Sequence, residues 1–95
     1  MNYTKQLMVQ DVAEVIEKEG LKDLFLATDD LKLKEGYAAA MIMPLRYFVM
    51  GRYNITGKEA VQAIHAISAE VEKDIEGFLA ELSSVLTMQK SSSVQ

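Results

Sequence analysis

The sequence predicts an all-α fold, and three observations carry that expectation. The first is an apolar seam in which Val61, Ile64, Ser68, Val71, Ile75, Phe78, Leu82 and Val85 recur at alternating spacings of three and four. Such a 3.5-residue average keeps one face of a helix turned toward a partner, and only Ser68 in it is polar. The second is punctuation that starts and stops helices at Gly20 and over Thr56–Glu59. The third is the scarcity of strand patterning: only Leu31 and Leu33 alternate, and one short strand has nothing to pair with. The architecture expected is a small bundle of three to four helices with a long C-terminal helix, forming a dimer. One domain is expected over residues 1–90, with a disordered polar tail over 91–95.

The first helix is expected from about Thr4 to Glu19. Leu7, Met8, Val12, Val15, Ile16 and then Leu21 trace a narrow apolar face, with Gln10, Asp11, Glu14, Glu17 and Lys18 outside it. Gly20 stands where a left-handed C-terminal cap belongs. Leu21–Ala27 is apolar enough for a short helix or a buried turn. Thr28, Asp29 and Asp30 then offer capping side chains for another helical region. In that region helix is expected from about Lys34, through Tyr37, Met41, Leu45, Phe48 and Val49. Pro44 removes a donor and crowds the preceding turn, so the helix either kinks there or gives way to a new one with Pro44 in its first turn. Gly51 through Asn54 is expected to end the run.

Thr56-Gly57-Lys58-Glu59 fits a capping box, with Ile55 before it and Ala60 after it as a weak staple. From there a single helix of roughly 30 residues is expected to reach about Met88. In a parallel zipper Ile67, Asp74 and Glu81 would face Glu72, Leu79 and Leu86, and none of those pairs is a salt bridge. Ile67, Leu79 and Leu86 instead widen the stripe, which suits a helix covered from two sides.

Composition sets the limits on function. A chain of 95 residues buries roughly 60–65% of the surface its unfolded form exposes, so an uncovered seam would favour oligomerisation. The apolar content of 49% argues against intrinsic disorder, and the net charge of −4 gives nucleic acid or anionic lipid no electrostatic invitation. Cysteine is absent, which excludes disulfides and thiolate chemistry and fits a reducing cytoplasm. No segment reads as a targeting signal. The most hydrophobic stretch, Tyr37–Met50, contains Pro44 and Arg46 and falls short of the roughly 20 apolar residues that a membrane span needs.

No residue constellation for catalysis, cofactor or metal is expected. His65 is the only histidine, and Val61, Gln62, Ser68 and Ala69, its neighbours at helical spacing, include no acid to orient it. Glu70, Glu72, Asp74, Glu76 and Glu81 fall mostly outside the seam, with no Glu-x-x-His element beside them. Phosphate-loop patterns are also missing.

The expected function is a non-enzymatic interaction module: an adaptor, inhibitor or assembly factor acting through helical surfaces. Ile64, Val71, Ile75, Phe78, Leu82 and Val85 are the expected oligomer contact. Arg46, Tyr47, Arg52 and Tyr53 are the candidate partner surface, because tyrosine and arginine are enriched at binding hot spots. Met41, Met43 and Met50 could add a pliable contact patch. The alternative is a dimeric DNA-binding regulator using a turn and recognition helix over residues 52–68, with Lys58, Gln62 and His65 as its polar residues. Its basic face is sparse, since only Lys58 is cationic over the first turns.

Overall fold

Thr4 opens the first helix because its hydroxyl accepts the Leu7 amide at 3.2 Å, satisfying a donor that no helical carbonyl can reach. The computed structural model describes residues 2–93, with side-chain surroundings through Met88. Helix α1 (Lys5–Lys18) ends at Gly20, whose φ of +74° lets the chain turn back. The Gly20 and Leu21 amides then donate to the Glu17 and Ile16 carbonyls at 3.1 and 3.0 Å, a Schellman cap. Helix α2 (Lys22–Ala27) is short and inserts Phe25 into the core.

Helix α3 (Leu31–Ala40) begins three residues before the expected Lys34, because the Asp30 carboxylate accepts the Lys32 amide at 2.9 Å. Met41 alone joins it to α4 (Ile42–Tyr53). A continuous helix would press the Pro44 ring against the Ala40 carbonyl; with the break at Met41, Pro44 lies in the first turn, where its missing donor costs nothing. Of the two arrangements the sequence allows around Pro44, the fold takes the one with a new helix. Gly51 does not end α4, which continues to Tyr53 and stops at Asn54, a left-handed residue with φ 55°.

The capping box forms as expected at α5 (Gly57–Glu72). Thr56 Oγ1 accepts from the Glu59 amide at 3.1 Å while Glu59 Oε1 accepts from the Thr56 amide at 2.9 Å.

The single long helix is corrected. Lys73 and Asp74 separate α5 from α6 (Ile75–Ser93). Their amides donate to Glu70 and Val71 with i→i−3 spacing, which closes α5, and Asp74 Oδ1 then accepts the Gly77 amide at 3.1 Å to open α6. The break retains the inward phase of the seam, which is why periodicity alone conceals it. Among the described residues six helices therefore replace the three or four expected. The tail expected over 91–95 falls partly outside the described residues: α6 reaches Ser93, and 94–95 are not described.

Helix α1 is the centre of the fold, packed against α4, α5 and α6. Its buried face is wider than the narrow stripe expected, because Val9, Asp11 and Ala13 are enclosed along with Met8, Val12, Val15 and Ile16. Leu45 and Val49 from α4, Ala60, Ile64 and Val71 from α5, and Phe78, Leu79, Leu82 and Leu86 from α6 complete the core. Ile64, Val71, Phe78 and Leu82 of the expected oligomer contact thus lie inside this one chain, with Ile75 and Val85 half-buried against them. The chain's own helices cover most of these side chains, while Val71 and Phe78 also border an open crevice between α3 and the bend from α5 to α6. Ser68 is accommodated because its hydroxyl donates to the Ile64 carbonyl at 2.8 Å. No helix among the described residues is long and apolar enough to cross a membrane.

Candidate functional site

The polar interior centres on Asp11, which is 1% exposed although the sequence places it on the outer side of α1. Its Oδ2 accepts a hydrogen bond from the Tyr3 phenol and another from the Tyr53 phenol, each at 2.9 Å. Arg52 lies alongside, with Nε 3.8 Å from Asp11 Oδ1 and Nη1 donating to Glu14 Oε2 at 2.9 Å. The two tyrosine rings meet edge to face with centroids 5.9 Å apart. Burial raises the Asp11 carboxyl above its ordinary range, against the phenols and Arg52, which pull it down. Burial and the bond to Asp11 push the Tyr53 phenol up to about 12 and hold Tyr3 higher still.

Oδ2 thus carries both hydrogen bonds, while Oδ1 faces the Arg52 guanidinium at ion-pair distance. This arrangement ties the N-terminal segment and α4 onto α1. Lone periodicity misses it, since Tyr3 and Tyr53 lie eight and 42 residues from Asp11.

By fixing α4, the node also fixes what that helix shows to solvent. Met43 and Tyr47, one turn apart, are 59% and 66% exposed and form a ridge. Behind it Pro44 and Phe48 face Val15, Lys18 and Glu19 of α1 across an open hollow of about 370 Å³. Lys18 Nζ stands 5.3 Å from the Phe48 ring centroid and the Arg52 guanidinium carbon 5.7 Å from it, so two cations hold that ring in place. The four expected partner residues all lie on α4 and differ in exposure. Tyr47 points to solvent, Arg52 and Tyr53 are drawn toward Asp11, and Arg46 is half-buried. Met43, expected only as a possible contact, belongs with Tyr47.

A second concavity, of about 210 Å³, opens between α3 and the bend from α5 to α6. Met8, Val12, Ile42, Val71, Ile75 and Phe78 supply its apolar surface, and Glu35 and Glu72 are exposed in its lining. Elsewhere, Lys58, Gln62 and His65 are exposed on α5, and His65 has no acidic partner among the described residues. No group of three or more metal-ligating side chains occurs among the described residues. Comparison with known proteins finds no matching family model, no matching curated protein and no matching solved structure.

Proposed function

We propose that the chain is a non-enzymatic interaction module that binds a protein partner through the ridge of α4. The observation that carries this reading is the pairing of exposed Met43 and Tyr47 beside a hollow floored by Phe48. Methionine, tyrosine and arginine are enriched in protein interfaces because they bring large contact area together with directed polar contacts. The bonds from Tyr3 and Tyr53 to the buried Asp11 give the reading a structural role for that carboxylate, as the tie that holds α4 on α1. A cytoplasmic setting belongs to the same reading. So does self-association, for which exposed side chains such as Tyr47 offer contact area.

A second reading, the DNA-binding regulator, draws on the short connection between α4 and α5, only residues 54–56, and on the exposed Lys58, Gln62 and His65 of α5. Affinity capture from the native host's lysate, with and without nuclease, separates the two. A stoichiometric protein that survives nuclease and is lost with Tyr47→Ala is expected. Partners that vanish with nuclease, and with Lys58→Ala rather than Tyr47→Ala, would favour the regulator instead.

A further inference from the structure

We infer that the crevice between α3 and the α5–α6 bend is an anchor pocket for a basic segment of another protein. It would take one large apolar side chain, while Glu35 and Glu72 pair with lysine or arginine flanking that side chain. The crevice shares no lining residue with the hollow beside Tyr47, so this inference does not depend on the ridge.

Size decides first. At about 210 Å³ the crevice lies below the roughly 300–1,000 Å³ typical of small-molecule pockets. It suits a single anchoring side chain of the kind that dominates interface energetics. Chemistry decides next. Glu35, Ser68 and Glu72 are the only polar side chains in the lining, and the Ser68 hydroxyl is already donated to the Ile64 carbonyl. The carboxylates remain, on opposite elements and with no ion-pair partner among the described residues. The net charge of −4 adds to the attraction for a cationic segment.

The fold explains why apolar surface stays accessible at this point. Asp74 redirects the chain, and the seam residues Val71, Ile75 and Phe78 on either side of the bend contribute to one concave wall. Helix α3 forms the facing wall with Ala38 and Ala39 yet has no fully buried residue of its own. Partly buried Tyr37 and Ala38 pack it against the body, and Lys34 donates to Ser83 Oγ at 3.2 Å and lies 5.2 Å from the Phe25 ring centroid. An inserted side chain would bridge the two walls.

The test is a random dodecapeptide display library panned against the wild-type protein and counter-panned against Ala39→Leu, whose larger side chain narrows the mouth. Circular dichroism confirms that each variant folds. Enriched peptides should place leucine, methionine or phenylalanine next to lysine or arginine, and their amide shift changes should centre on Ala38, Ala39, Ser68 and Val71. Ala39→Leu should weaken them about tenfold or more. Glu35→Gln and Glu72→Gln, which alter no packing, should each weaken them about two- to fivefold. Failure to enrich any peptide over the counter-selection would overturn the proposal. So would acidic consensus sequences, indifference to both glutamine variants, or shifts confined to other surfaces. Self-association that Ala39→Leu abolishes would assign the crevice to a second copy and overturn it equally.

Discussion

Asp11 ties the end of α4 to α1 through Tyr53 and Arg52. Replacing it with alanine leaves the Tyr3 and Tyr53 hydroxyls facing a gap, and stranded buried donors cost about 1–3 kcal/mol. Asp11→Ala is therefore expected to lower unfolding free energy by about that amount in a denaturant titration. The pH dependence has a definite sign. Burial raises the folded carboxyl above its ordinary value of 3.8, so the folded chain holds that proton more tightly than the unfolded one. The Asp11 contribution is fully present below the ordinary value and declines as pH rises through the raised folded value. The stability difference between wild type and Asp11→Asn should fall as pH is raised from about 4, and a rise would contradict the account. Nothing local in the sequence shows this node. Its three members come from distant parts of the chain, and an aspartate one place before Val12 resembles any solvated neighbour of an apolar stripe.

At the scale of the element, caps were legible and one break was not. Gly20, Asp30 and the Thr56–Glu59 box act where their side-chain chemistry places them. The Thr56 amide and hydroxyl bonds hold the Glu59 carboxyl below its ordinary 4.5, so this cap stabilises fully above that value and is lost as pH falls through the lowered one. The bend at Asp74 carries its own signal, an aspartate three residues before Gly77 with Glu76 in the first turn, but a seam in continuous phase masks it. Gly77 matters because a Cβ there would collide with the Asp74 carboxylate. Gly77→Ala sets the gain of about 0.5–1 kcal/mol for alanine inside a helix against the disturbed Asp74 cap, so it should stabilise less than an alanine placed in open helix. Gly51→Ala, in open space inside α4, should stabilise by about 0.5–1 kcal/mol. Thermal unfolding of the two variants checks both, and equal effects would remove the assigned role of the bend.

The whole molecule is a slab of 34 × 34 × 18 Å, about two helices thick, with α1 running through its interior. This shape explains what the seam does. Most of it becomes the chain's own core, while Val61 at its start stays 42% exposed. The sequence made the inward face of the seam readable because spacing encodes burial. It did not reveal what lies opposite, because the covering face of α1 includes Val9 and Ala13, which lie off the stripe that its own pattern suggests. Residue type marks Tyr47 as a candidate contact, whereas only the bond to Asp11 shows that the Tyr53 phenol turns inward. The claim that follows is that recognition uses the outer ridge of α4. A photo-crosslinking amino acid at position 47, expressed in the native host, tests it most directly. The account predicts one dominant protein adduct at position 47 that is absent when the same group sits at exposed Glu70. Equal labelling at both positions, or adducts with nucleic acid through Lys58 and none through position 47, would contradict it.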